Sequence, residues 1–336
     1  MRRKWLKDLS VLIVYYYGEE YIEECLSSVS RNFSTLELDY EIIVLDNECS
    51  QHSEETLNRM KSKFSVKILS LGRNVGFGAG NNLLADHSLG RMLFFLNQDT
   101  RVVESSGEFR EFICKSNNET VFVPLIFNGD KSYQKQIFRY PSLLSLAVEM
   151  LFVKDLIGVT LGTKRRKKTP DSSWQNQEIS LQRRYPSGAA FIINRDTYLR
   201  SGGFDESIFL YHEECLLFFN MKSNVLFINF LQCLSVIHYG GTGKPFSSER
   251  LAQYWKNLVY VYSSIVENSK GRRIRVLLFE FMLKIGILLR QICWFIGLKV
   301  PYSPSSRGYR SRFTERREEV LQKLKQVKIM LKERKL

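Results

Sequence analysis

Four groups of residues in this chain are of types that carry chemistry. Asp99 closes the apolar run Met92-Leu-Phe-Phe-Leu96, with Asn97 and Gln98 between. A carboxylate at the end of a buried strand points into the cleft where loops converge. Its oxygens suit Mg²⁺ or Mn²⁺, which keep phosphate oxygens among their ligands; a helix cap or turn is the plainer use of the same residue. Glu213 and Glu214 follow the aromatic-rich Phe209-Leu-Tyr-His212. A carboxylate beside apolar rings has a raised pKa and can serve as a general base; a surface pair is the alternative. His238, in Ile237-His-Tyr-Gly-Gly-Thr-Gly243, stands at a strand end before a glycine-rich loop, as metal ligand, phosphate contact or structural histidine. Ser187-Gly-Ala-Ala190 lets either a ligand or a neighbouring strand come close to the backbone.

The elements that must position these groups follow from periodicity. Leu9 to Tyr17 is a continuous apolar and aromatic run, which fits a strand buried on both faces. The N-terminal MRRKWLKDLSVLIVYYYG lacks a small-residue cleavage site, so it reads as this first strand and not as a signal peptide. Tyr21, Ile22, Cys25, Leu26 and Val29 recur at helical spacing over Glu19–Ser30. Further strands are predicted over 41–45, 66–71, 92–96, 189–194, 224–230 and 233–237. Helices are predicted over 53–63, capped by Ser53, over 81–87, and as a turn over 195–201. The segment from Ile126 to Tyr185 is less regular, and its run Lys164-Arg-Arg-Lys-Lys168 reads as a solvated loop. Strands alternating with helices give an α/β fold with a mostly parallel central sheet, whose ligands collect at the carboxyl ends of strands.

Taken in order, the blocks resemble family 2 glycosyltransferases of the GT-A fold, particularly the rhamnosyltransferase-like branch. They are Val11-Leu-Ile-Val-Tyr-Tyr16, Val44-Leu-Asp-Asn47, Asn74-Val-Gly-Phe-Gly-Ala-Gly-Asn-Asn82, Phe95-Leu-Asn-Gln-Asp-Thr100, Ser187-Gly-Ala-Ala190, Gly202-Gly-Phe-Asp205 and Phe209-Leu-Tyr-His-Glu-Glu214. The resemblance covers about residues 8–245 and implies a nucleotide-sugar donor. On it, Tyr15 and Asp46 would meet the base or ribose. Asn74, Gly76, Asn82 and Asn97 would line the nucleotide and donor-sugar site. Asp99, in the position of the metal-binding carboxylate, and His238 would hold a divalent cation. Glu214, beside Glu213, stands where the family has its catalytic aspartate. The implied reaction is inverting, metal-dependent hexosyl transfer to a hydroxyl of a cell-surface polysaccharide or lipid-linked glycan. The other reading is a degenerate GT-A-fold binding or scaffold protein, suggested by Glu214 in place of Asp and by Cys215 after it.

Charge separates the chain into two parts. Residues 1–250 hold 30 Lys/Arg and 29 Asp/Glu, whereas residues 251–336 hold 19 and 6, a net +13. A catalytic domain over 1–248 and a basic helical region over 249–336 are therefore expected. A basic region seeks an anionic partner. Its helix from Arg272 to Lys299 carries Glu280, Lys284 and Arg290, so it does not suit a membrane span of ~20 apolar residues. A helix lying in the membrane interface fits, as does packing on protein, including a homodimer through these helices. Tyr302–Arg317 reads as a linker and Glu318–Leu336 as a final helix. Nucleic acid is disfavoured, because the tail lacks zinc ligands and its apolar helix favours a membrane over RNA. The cytoplasm and the inner face of the plasma membrane are the expected location. Six cysteines without CxxC spacing fit reduced thiols. A dehydrogenase, which Gly76-Phe-Gly78-Ala-Gly80 would suggest, is disfavoured, because the stretch departs from GxGxxG at Asn81 and follows the third strand instead of the first.

Overall fold

The computed structural model describes residues 6–115, 119–150, 178–225, 227–240 and 247–295, together with 321, 322, 324–326, 328 and 329. The Lys164–Lys168 run and the Tyr302–Arg317 linker lie outside the described residues. The chain divides into two compact units, Met1–Tyr140 with Lys167–Gly243, and Pro141–Arg166 with Lys244–Leu336.

The first unit opens with β1 (Lys7–Tyr15), α1 (Glu19–Phe33), β2 (Tyr40–Asp46), α2 (Gln51–Lys63), β3 (Lys67–Ser70), α3 (Phe77–Asp86) and β4 (Gly90–Leu96). β1 pairs in parallel with β2 on one side and β4 on the other, and β3 adds in parallel beyond β2. Leu9, Val11, Leu12, Ile13 and Tyr15 are all fully buried, as helices covering both faces of a parallel sheet require. The chain runs outward from β1 to β3, then returns to the far side of β1 as β4. The switch point, where such sheets bind ligands, thus lies between the ends of β1 and β4.

The sheet beyond β4 is mixed. β5 (Thr100–Ser105), α4 (Gly107–Lys115), β6 (Thr120–Phe127) and β7 (Ile137–Arg139) follow in sequence. After α5 (Leu143–Met150), which belongs to the second unit, come β8 (Ile179–Ser180), β9 (Arg184–Pro186), β10 (Ala190–Asn194), α6 (Arg195–Arg200), α7 (Glu213–Met221) and β11 (Phe227–His238). β10 runs antiparallel between β4 and β6, and β11 lies between β6 and β5. The two strands expected over 224–230 and 233–237 are one strand, β11, with a register break between Leu231 and Ser235. Helix α2 is capped by Ser50, not Ser53. The two serines bond reciprocally, each hydroxyl accepting the other's backbone N–H at 3.0 Å. Helix α3 begins at Phe77, inside the glycine-rich stretch, four residues earlier than its periodicity suggests.

In the second unit α5 groups with α8 (Ser248–Ile265) and α9 (Arg272–Phe295), although the expected boundary at 248 places it in the first domain. Tyr262 of α8 stacks on Phe279 of α9 with ring centroids 4.1 Å apart, and Phe279, Leu283 and Ile287 form the buried side of α9. The opposite side of the same helix leaves Ile274, Leu277, Leu278, Phe281, Leu288, Ile292 and Phe295 exposed. Among the described residues no helix is long and apolar enough to cross a membrane.

Candidate active site

The ends of β1 and β2 are tied to the glycine-rich loop before α3. The Asn47 side chain accepts from Val75 N at 2.8 Å and donates to Gly76 O at 3.3 Å, while its backbone N–H donates to Tyr15 O at 2.8 Å. Asn74 Oδ1 accepts from Gly76 N at 2.9 Å, closing the turn. Gly76 has φ +87°, and a Cβ there would lie 2.5 Å from Phe209 O, so only glycine fits. Phe77 N then donates to that same carbonyl, Phe209 O, at 3.1 Å. Asn47, which the expected site omits, is the clamp of this loop. Its place beside Asp46 at a strand end was the sequence signal for it.

Three expected donor contacts lie buried or bonded inside the protein. Tyr15 is fully buried in the core, and burial, followed by Glu48 and Asp46, pushes its phenol up to about 12. Its hydroxyl has no hydrogen-bond partner among the described residues. Asp46 Oδ1 accepts from Glu48 N and Cys49 N at 3.2 and 3.0 Å, and its Oδ2 accepts from Ser53 Oγ at 2.9 Å. That carboxylate holds the β2–α2 turn. Asn82 donates to Phe204 O and Glu206 Oε1, and accepts from Phe204 N and the Tyr198 hydroxyl. Four bonds use its full amide capacity, so Asn82 positions the Gly202–Asp205 loop and has nothing left for a donor.

The expected cation residues come together. Asp99 Oδ1 lies 3.2 Å from His238 Nε2, with both side chains mostly buried. The pairing of β5 with β11 sets this approach, placing His238 opposite Thr100, and Tyr239 N donates to Asp99 O at 3.0 Å. Two ligands at right angles around a cation ~2.1 Å from each stand about 3 Å apart. A carboxylate oxygen and an imidazole nitrogen at 3.2 Å fit that group, with phosphate oxygens left to complete its shell. Gln98 ties the turn to β1: its Oε1 accepts from Tyr16 N at 2.7 Å and its Nε2 donates to Tyr17 O. This spans the switch point between β1 and β4. Asn97 Oδ1 is buried with no hydrogen-bond partner among the described residues, a deficit of about 1–3 kcal/mol.

Glu213 and Glu214 open helix α7. Tyr211 and His212, immediately before them, both sit in the left-handed region, at φ 72° and 70°. Two consecutive non-glycine residues there cost of order 1–3 kcal/mol each, and such strain concentrates at functional sites. Burial pushes the His212 imidazole down to about 4, so it is neutral near pH 7. The two carboxylates face differently. Glu213 is 6% exposed with Oε2 unpartnered, and burial and then Glu214 raise its pKa well above the ordinary range. Glu214 is more open, its pKa raised by burial, and it packs against Gly188. Glu213, expected as a second catalytic carboxylate, is therefore turned into the protein. Asn97 N donates to Ala189 O at 2.9 Å, so the Asp99 turn and Glu214 meet the same Ser187–Ala190 segment from two sides.

Residues 10–198 match the model of glycosyl transferase family 2. A curated relative, the low-salt glycan biosynthesis hexosyltransferase Agl10 of Haloferax volcanii, is 23% identical over 244 residues, covering 71% of this chain and 69% of that protein. Among solved structures, the mannosyltransferase PcManGT from Pyrobaculum calidifontis, in complex with GDP-Man and Mn²⁺, superposes with a TM-score of 0.53 at 9% identity, over 98% of this chain and 90% of that one. GalNAc-T7 with UDP, GalNAc and Mn²⁺ superposes with a TM-score of 0.51 at 17% identity, over 88% and 59%. The fold is GT-A, and the chain belongs to glycosyltransferase family 2.

Proposed function

We propose that this glycosyltransferase moves a hexose, with rhamnose the first candidate, from a nucleotide sugar to a hydroxyl of a cell-surface polysaccharide or lipid-linked glycan, with inversion and with a divalent cation. The observation that carries the reading is the 3.2 Å approach of Asp99 and His238 beside the switch point, on a turn whose Asn97 bonds the same Ser187–Ala190 segment that Glu214 packs against. The nucleotide sugar and Mn²⁺ of the mannosyltransferase support it, as does the hexosyltransferase name of the curated relative.

Asp99 and His238 would hold a divalent cation, which when bound would supply Lewis-acid stabilisation of negative charge on a departing diphosphate. The Asn47–Gly76 clamp and the Gln98 tie fix the loops that flank the donor. Glu214 takes the proton from the acceptor hydroxyl. The oxygen so freed bonds to the anomeric carbon as the bond to the diphosphate oxygen breaks on the opposite face. General-base catalysis of this kind contributes roughly 10²–10⁴-fold.

The second unit supports a place for the reaction. Its net basic sequence and the exposed apolar side of α9 fit an anionic membrane surface, at the inner face of the plasma membrane. A panel of UDP-, GDP- and dTDP-sugars, incubated with the full chain and Mn²⁺, tests the chemistry through release of nucleoside diphosphate. Release from one donor, lost in Asp99→Asn, is expected. Calorimetry showing that no nucleotide binds, with or without Mn²⁺, would overturn the reading. Binding without release would favour the scaffold alternative.

A further inference from the structure

His238 is oriented by a chain of side chains that starts on backbone carbonyls. Asn128 and Gln134 flank the turn after β6, where Asn128 N donates to Ser132 O and Gln134 N donates to Ile126 O. Within it, the Asn128 side-chain nitrogen faces Ser132 O at 3.2 Å and Tyr133 O at 3.4 Å. Backbone carbonyls only accept, so this atom is the amide nitrogen and Asn128 Oδ1 is the acceptor. That oxygen takes a bond from Gln134 Nε2 at 2.9 Å, and the same Nε2 faces His238 O at 3.4 Å. The Gln134 amide can therefore stand only one way round, with Oε1 toward His238 Nδ1 at 2.8 Å. An amide oxygen cannot donate, so His238 Nδ1 carries the hydrogen.

The consequence falls on the other ring nitrogen. A neutral imidazole with Nδ1–H has a lone pair on Nε2, and Nε2 faces Asp99 Oδ1 at 3.2 Å. Two lone-pair donors aimed at each other across that gap are stabilised either by a second proton on the ring, which the alkaline measurement below removes, or by a metal cation. The geometry assigns Asn128 and Gln134 as positioning residues that hold His238 in its Nδ1–H tautomer and present Nε2 as a metal ligand. This assignment rests on the proposal that Asp99 and His238 hold a divalent cation. Outer partners of this kind fix the tautomer and ring angle of a ligating histidine, and losing one typically costs ~10–100-fold in metal affinity.

Two measurements test it. The first uses ¹⁵N-histidine-labelled full chain without metal at alkaline pH, with the His238 resonances identified by their loss in His238→Ala. Wild type is expected to show a protonated Nδ1 and a bare Nε2. Gln134→Met, close in size but without an acceptor, should shift His238 toward the Nε2–H form; Gln134→Glu, which restores an acceptor, should return it. The second is calorimetry of Mn²⁺ with UDP or GDP present. The Met variant should bind Mn²⁺ about 10–100-fold more weakly, and the Glu variant should recover most of that loss. Circular dichroism checks that the variants fold; Asn128→Ala, which frees the Gln134 amide to flip, repeats the test at a second position. An Nε2–H tautomer in the wild type would overturn the assignment, as would a Met variant that keeps both tautomer and Mn²⁺ affinity. If wild type binds no Mn²⁺ at all, the cation reading fails, while the metal-free tautomer still decides what Gln134 does to His238.

Discussion

Glu214 lies directly against Gly188: a methyl group placed on that glycine would sit 3.4 Å from Glu214 Cβ and 3.7 Å from its Cγ. The contact joins the start of α7 to the turn before β10, residues that the chain separates by two further elements. At Gly188 this is ordinary van der Waals packing against the proposed base, whereas Ala189 and Ala190 pack into the core.

Glu214→Gln removes the proton acceptor while keeping size and most contacts. Transfer should fall by roughly 10²–10⁴-fold with donor affinity unchanged, as measured by steady-state kinetics beside calorimetry. Because burial raises the Glu214 pKa, the carboxylate form predominates only above the ordinary carboxyl range. The acidic limb of the kcat/KM profile should therefore lie above pH 4.5 and vanish in the variant.

Glu213 gives a prediction about stability. Its pKa is raised in the folded chain by burial, with Glu214 second, so the native state holds the proton over a range where the unfolded chain has lost it. Stability is then greatest below the unfolded value near 4.5 and falls as pH rises toward the raised native value. Glu213→Gln mimics the protonated carboxyl and cannot ionise. Its thermal midpoint should match wild type near pH 4 and exceed it at pH 8, by a few degrees for about 1 kcal/mol. Calorimetric scans at the two pH values check it; a wild-type midpoint that rises relative to the variant with pH would contradict the sign.

Gly76→Ala adds a methyl group 2.5 Å from a carbonyl and at a positive φ. The loop must shift away from Phe209, breaking the bond from Phe77 N and straining the Asn47 clamp. A loss of about 1–3 kcal/mol is expected, with weaker nucleotide binding. Gly72→Ala, with open space around its Cβ position, is the control and should cost less.

The parallel half of the sheet was legible because its strands are buried on both faces and read as continuous apolar runs, as Leu9–Tyr15 does. The meeting of Asp99 and His238 was reachable only through ordered motifs, since 139 positions separate them and the β5–β11 pairing that joins them leaves no local signal. The bonds that Asn82 and Asp46 make inside the protein could not be read from the sequence, for a physical reason. Polar residues at strand and loop ends serve ligands and turns with the same chemistry, and only their bonded partners tell which. Gln134 was invisible for a related reason: a glutamine in an aperiodic stretch carries no pattern, and its role comes from a carbonyl across a turn.

Helix α9 offers the last prediction, because it is apolar on two sides. One side is occupied by Tyr262 stacking on Phe279, leaving Ile274, Leu277, Leu278 and Phe281 outward beside Arg272, Arg273 and Arg275. An exposed apolar stripe next to cations matches a bilayer interface carrying anionic headgroups, where each basic residue near the surface adds ~1 kcal/mol. The full chain should therefore sediment with vesicles of phosphatidylglycerol and phosphatidylcholine, and less so as salt rises. Leu277→Asp with Phe281→Asp should abolish that binding and leave donor hydrolysis in solution intact. If both proteins ignore vesicles, and the double variant instead converts a dimer to a monomer in light scattering, the stripe is an interface between copies of the chain.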